Sequence, residues 1–158
     1  MNRWCDCERE APELAALVRG RFEATGLGFL ATLRADGSPR LSGIEPWFVD
    51  DDVWLAMMPE ARKRDDLTRD PRLALHSASI DKDVVAGDAK LTGSATEVTG
   101  AAREPFLALI EERTGDRHDE AAVFRVALRE VSFLRPAGDH LEITVWTPGG
   151  PARTVDKY

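Results

Sequence analysis

Cysteine is scarce in this chain of 158 residues: Cys5 and Cys7 are the only two. They are too few and too close together for a disulfide framework. A tetrahedral metal site would need further donors, and the only histidines, His76, His118 and His140, lie far off in sequence. The pair reads as ordinary thiols in a frayed N-terminus, and no metal site is expected. Long apolar runs are absent as well. Nothing approaches the ~18–20 residues that span a bilayer, and the start Met1-Asn2-Arg3-Trp4-Cys5-Asp6-Cys7-Glu8 has no signal-peptide core. The expectation is a soluble, cytoplasmic protein without membrane contact. Positive charge is in deficit: 21 Lys and Arg stand against 28 Asp and Glu, a net charge of −7. That excludes a nucleic-acid protein that binds through a global positive field. Neither common glycine-rich nucleotide loop occurs, and no Ser/His/Asp or Cys/His arrangement has local support, so no catalytic side chain is singled out.

What remains is an ordinary globular balance, 43% hydrophobic and 31% charged, with a length that suits one domain over 1–158. Residues 11–25 read as a helix. Pro12 suits a first helical position, Leu14, Leu17, Val18, Arg21 and Phe22 recur at helical spacing, and Gly26 ends it. The period then changes. Leu27 to Arg34 is a short apolar strand closed by Ala35-Asp36-Gly37-Ser38, whose Asp-Gly is a hairpin signal. A second strand runs from Arg40 to Val49, interrupted near Gly43 and Pro46. After Asp50-Asp51-Asp52, Val53 to Met58 forms a third. Tight connections make these strands antiparallel.

Pro59 opens a charged helix from Glu60 to about Asp70, and strands follow at Arg72–Ser79 and Ala89–Thr99 around a polar loop, 80–88. A helix near Arg103–Arg113 puts Phe106, Leu107 and Ile110 on one face. Val123–Leu134 and Leu141–Trp146 make a last hairpin, and the tail 148–158, with Pro148, Gly149, Gly150 and Pro151, reads as irregular. The fold class is mainly β with helices, α+β. Its centre over about 27–147 is a six-stranded antiparallel split or closed barrel, because closure removes exposed sheet edges.

The stretch that carries chemistry is Met57-Met58-Pro59-Glu60-Ala61-Arg62-Lys63-Arg64-Asp65-Asp66-Leu67. A strand runs into the first turn of a helix, where free amides and the positive dipole end converge. Arg62 and Lys63 add two cations in that turn, where the dipole disfavours them unless an anion such as a phosphate compensates. The plain alternative is a solvated charged helix whose Arg62, Lys63 and Arg64 are neutralised by Asp65, Asp66 and Asp70. Arg40 reaches the same region if the second and third strands pair.

Residues 32–42 (Thr-Leu-Arg-Ala-Asp-Gly-Ser-Pro-Arg-Leu-Ser), then Met57-Met58 and Ala61-Arg62-Lys63, resemble the flavin-binding split-barrel proteins of the pyridoxamine 5'-phosphate oxidase-like family. The small members that use FMN or the deazaflavin coenzyme F-420 are the most similar. The resemblance continues through 66–77 and 87–95 and covers about 12–147 in order. It implies an FMN-binding split barrel that acts as an oxidoreductase, moving hydride or electrons between the flavin and an unknown small-molecule substrate. It also implies that Arg40, Arg62 and Lys63 hold the cofactor phosphate, that Met57 and Met58 lie along the isoalloxazine, and that Ser42 is a further polar contact. A homodimer with the cofactor at the subunit interface follows from the same resemblance.

The chain departs from that pattern in two places. The oxidases proper carry a Lys where Glu45 stands, which makes the phosphate shell less positive. Their C-terminal substrate-reading Arg and His are not evident in Trp146 to Arg153, so pyridoxamine phosphate is not the expected substrate. Three alternatives stay open: an F-420-dependent reductase, a non-catalytic barrel binding haem (through His76) or free flavin, and a purely structural domain. His76 also reads as a hydrogen-bonded sheet or interface histidine, and His118 and His140 as solvent groups. Trp47 and Trp54, on adjacent strands, either wall a flat ring or belong to the core or dimer interface.

Overall fold

The computed structural model describes residues 1–158. Helices α1 (Trp4–Glu10) and α2 (Pro12–Glu23) lead into strands β1 (Gly28–Leu33), β2 (Pro39–Ile44), β3 (Pro46–Val49) and β4 (Asp52–Met57). Then come α3 (Arg62–Arg69), β5 (Arg72–Ser77), β6 (Asp88–Val98), a short turn of helix at Gly100–Arg103 and α4 (Glu104–Thr114). Strands β7 (Ala122–Ala137), β8 (His140–Trp146) and β9 (Arg153–Lys157) complete the chain. No helix is long and apolar enough to cross a membrane.

All strands belong to one antiparallel sheet in the order β2-β1-β5-β6-β7-β4-β3, with β8 on β7 and β9 on β8. The mainly β, α+β class therefore stands, but the sheet has nine strands rather than six. One reason is that the stretch Arg40–Val49 is not a single strand. It breaks at Glu45, and its halves take different partners: β2 pairs β1, while β3 pairs β4 at the other end of the order. Pro46, which has no N–H to donate, sits where the strand restarts. The two ends of the sheet are thus one residue apart in sequence, and the sheet curls into a barrel around that join.

The long strands β6 and β7 bend at a register shift between Thr92 and Gly93. A Cβ on Gly93 would come within 2.0 Å of the Ala127 carbonyl oxygen, so only glycine permits this closeness. The core inside the curl holds Leu30, Leu55, Leu75, Leu91, Phe124 and Val126, capped by Phe22 and Val18 of α2. Helix α4 covers a second, smaller cluster with Phe106, Leu107 and Ile110 against Val49 and Val123.

Both termini differ from expectation. The N-terminus is not frayed: α1 buries Trp4 and Cys7 completely, with Ala11 following at helical spacing. Trp4 packs edge-on against Phe48 at 4.7 Å, and Arg3 grips Asp52 through Nε (2.9 Å) and Nη2 (2.7 Å). At the other end, Glu10 accepts hydrogen bonds from the Trp146 indole N–H (3.0 Å) and the Gly149 amide (2.9 Å). The tail is not wholly irregular, because its prolines and glycines form only a turn and β9 then pairs β8 from Val145↔Arg153 to Leu141↔Lys157. That strand is exposed throughout, so it left no hydrophobic pattern to read.

Candidate functional site

The join between β2 and β3 forms one wall of an open cleft of about 670 Å³. Gly43, Ile44, Glu45 and Trp47 stand on that side, and Met57, Met58, Ala61 and Lys63 come from the end of β4 and the start of α3. Leu107 and Ile110 of α4 make the opposite wall, and the following loop adds Asp116, His118 and Glu120 at the mouth. The lining is mostly apolar with a few charged groups, the composition of a small-molecule cleft.

The charged helix forms because Pro59 and Ala61 stop the strand and α3 buries only Asp66 and Leu67 of its eight residues. Its N-cap, Ala61, has no side chain to cap the first turn, and the amides of Arg62 and Lys63 have no backbone acceptor. The expected neutralisation within the helix does not occur. Arg64 pairs with Glu97 at 3.0 Å, Asp66 with Arg40 at 2.6 Å and Arg69 at 3.1 Å, and Asp70 with Arg72 at 2.6 Å. Every carboxylate expected to balance Arg62 and Lys63 is engaged elsewhere or, like Asp65, exposed. Arg62 points to solvent. Lys63 is half-buried, donates only to the Gly43 carbonyl at 2.7 Å, and is held below the ordinary lysine pKa by burial.

Helix α3 packs against β1 and β6, and side chains link it to the neighbouring β2. Arg40, Ser42 and Ile44 face inward, while Pro39, Leu41 and Gly43 face out. Arg40 contacts Asp66 through Nε (2.6 Å), and that hydrogen bond raises the guanidinium's pKa further. Burial alone would raise the Asp66 carboxyl, but hydrogen bonds from Arg40, Thr32 and Arg69 prevail and hold it at about 2. Two contacts, Arg40 to Asp66 and Lys63 to the Gly43 carbonyl, tie β2 to the first half of α3.

Of the six residues proposed from sequence, Met57, Met58 and Lys63 line the cleft. Arg40 and Ser42 stand on the inner face of β2, whose next residues, Gly43 and Ile44, do line it, and Arg62 is beside Lys63 in the first turn. Met57 is buried, whereas Met58 is 72% exposed. Trp47 and Trp54 are directly opposite each other on β3 and β4. Trp47 faces the cleft, whereas Trp54 stacks on Phe106 at 5.0 Å beneath the Arg125 guanidinium. His76 lies off the cleft on β5, with Nδ1 2.6 Å from the Ser77 carbonyl and Nε2 3.7 Å from Asp88. Sequence reading left open whether a substrate entrance lies in 80–88 or 114–121 and took His118 for a solvent group, because a polar loop carries no periodicity to tie it to a distant strand; Asp116, His118 and Glu120 of the second stretch line the cleft.

The fold is that of a split-barrel protein with an open cleft at the join of β2 and β3. The chain belongs to the pyridoxamine 5'-phosphate oxidase family, whose model matches residues 14–135. Solved structures agree in fold. A heme binding protein from Mycobacterium smegmatis is 23% identical with a TM-score of 0.60, over 84% of this chain and 57% of that one. This chain therefore spans little more than half of that protein's length. HutZ, the heme storage protein of Vibrio cholerae, is 16% identical with a TM-score of 0.59, over 89% of this chain and 95% of that one. PhzG from Burkholderia lata, solved with tetrahydrophenazine-1-carboxylic acid, is 16% identical with a TM-score of 0.62, over 89% and 90%. Among curated protein sequences there is no match to this chain.

Proposed function

We propose that this protein binds FMN in the cleft and works as an oxidoreductase on a small molecule. The observation that carries the reading is the pair Arg62 and Lys63, left without carboxylate partners beside the open amides of the first turn of α3. An anion is the ligand such a constellation fits. The residues fit the rest of the cofactor too. A cleft of about 670 Å³ is of cofactor size, and Met57, Trp47, Leu107 and Ile110 offer apolar surface to a planar ring. A bound flavin supplies the hydride chemistry. The chain's own part is to hold the phosphate with Arg40, Ser42, Arg62 and Lys63 and to keep water from the ring with its apolar walls.

The deazaflavin F-420 combines a planar ring with a phosphate in the same way and is the alternative cofactor. Glu45 lines the cleft without a cationic partner, which disfavours a phosphorylated substrate such as pyridoxamine phosphate. A second copy of the chain is the partner we assign to the outward face of β1 and β2. Leu41 is 70% and Phe29 44% exposed there, and Met58 is exposed at the edge of the cleft. A non-catalytic haem role is the second reading. It is favoured by His118 at the cleft mouth, in place of His76, and by the haem named for two proteins of the same fold.

Side-by-side titration with FMN and F-420, followed by cofactor fluorescence, is the test. Saturable binding of either is expected. Each charge-assisted hydrogen bond contributes about 1.5–3 kcal/mol, so Arg62→Ala with Lys63→Ala should weaken binding about 100-fold or more while the protein stays folded. Unchanged affinity in that double variant overturns the anchoring role. A Soret shift on haem addition that disappears in His118→Ala, with no flavin bound, would favour the second reading instead.

A further inference from the structure

A buried carboxylate behind the proposed phosphate subsite holds an arginine by one edge. Asp66, with its side chain 3% exposed, accepts hydrogen bonds from three elements: Thr32 Oγ1 of β1 at 2.8 Å, Arg40 Nε of β2 at 2.6 Å and Arg69 Nη2 of α3 at 3.1 Å. Two arginine–carboxylate pairs elsewhere in the molecule are two-pronged. Arg3 grips both oxygens of Asp52 through Nε and Nη2, and Arg72 grips both oxygens of Asp70 in the same manner. A fork of this kind is the favoured geometry of the pair. Arg40 uses only Nε on its carboxylate, because Thr32 shares the oxygen it binds and Arg69 occupies the other.

The result is a guanidinium fixed by one edge with both Nη groups unused, on a side chain still 24% exposed. The carboxylate's single negative charge is divided between two guanidiniums, so the site keeps net attraction for an anion. Ser42 follows Arg40 on the same face, and Lys63 is tied to Gly43 just beyond it. We propose that Asp66 is a positioning residue for the phosphate subsite: locked by Thr32 and Arg69, it holds Arg40 by Nε so that both Nη groups are presented to the phosphate. The proposal rests on the flavin reading above and extends it to a residue that itself never touches the ligand.

The test compares FMN with riboflavin, which has the same ring and no phosphate, in wild type, Asp66→Ala and Arg69→Met. Binding is followed by flavin fluorescence, and folding by circular dichroism. Wild type should prefer FMN. Asp66→Ala should lower FMN affinity about tenfold to a hundredfold, the equivalent of one charge-assisted hydrogen bond, and leave riboflavin affinity unchanged. Arg69→Met guards against a misfolded Asp66 variant, since Arg69 is at the surface. By freeing the second oxygen it should let Arg40 close into a fork and so also reduce the preference for FMN. Equal losses for both flavins, or no loss in either variant, would overturn the positioning role while the flavin reading stands. A wild type that binds FMN no better than riboflavin would overturn the phosphate reading, and this proposal with it.

Discussion

Acid should loosen the junction of β1, β2 and α3 through a single carboxyl group, Asp66. Burial opposes its ionisation, but the hydrogen bonds from Arg40, Thr32 and Arg69 bring its pKa from an ordinary 3.8 down to about 2. A carboxyl with a depressed pKa in the folded state takes up its proton more readily once unfolded. Its stabilisation is therefore complete above about pH 4 and is lost as the pH falls toward 2. At about 1.4 kcal/mol per pH unit this is of order 2 kcal/mol. With the side chain only 3% exposed, solvent screening removes little of it. Asp6, Glu10, Asp36 and Asp70 are also held low by hydrogen bonds, so the wild-type acid transition alone does not isolate Asp66. The difference between wild type and Asp66→Asn does. In urea denaturation the variant should be several kcal/mol less stable near neutral pH, since a buried ion pair loses one partner. That gap should narrow by roughly 1.5 kcal/mol between about pH 6 and about pH 2.5. A gap that stays constant across this range would refute the reasoning.

Two further predictions concern the docked N-terminal helix and the β6–β7 bulge. Burial leaves Cys7 fully inaccessible and pushes its thiol up to about 12, so a thiol-reactive chromophore should titrate Cys5 alone in the native protein and both thiols in denaturant; rapid native reaction of both would mean that α1 does not dock. Gly93→Ala would drive a methyl group against the Ala127 carbonyl, and overpacking of that kind costs about 1–3 kcal/mol or more, which thermal unfolding would show as a lowered midpoint; an unchanged midpoint would argue that the β6–β7 bulge relaxes freely.

Much of the architecture was legible because it depends on local chemistry. Pro12 and Gly26 bracket α2, Asp36-Gly37 turns β1 into β2, and Pro59 ends the strand before α3. The approach of a cationic first turn to the end of β4 could be read from Met58-Pro59 and Arg62-Lys63 for the same reason. Other features were hidden in the sequence. Helix α1 is short and mostly polar, and its importance comes from Trp4 and Cys7 entering a core assembled by residues dozens of positions away. Strand β9 shows no alternation because nothing covers it.

The sequence by itself determined the hairpin turn at Asp36-Gly37, the limits of α2, the antiparallel pairing of neighbours and the presence of two cations in the first turn of α3, all set by backbone preference and spacing along the chain. Only the tertiary structure decided how those cations are balanced. The carboxylates nearest in sequence are drawn away, Asp66 to Arg40 and Arg69, Asp70 to Arg72, while Arg64 finds Glu97. Likewise only folding split Arg40–Val49 between opposite ends of the sheet and brought the loop with His118 to face Lys63 across one cleft. Charge partners and cleft walls depend on distance in space, and the closure of a sheet on itself sets that distance independently of separation along the chain.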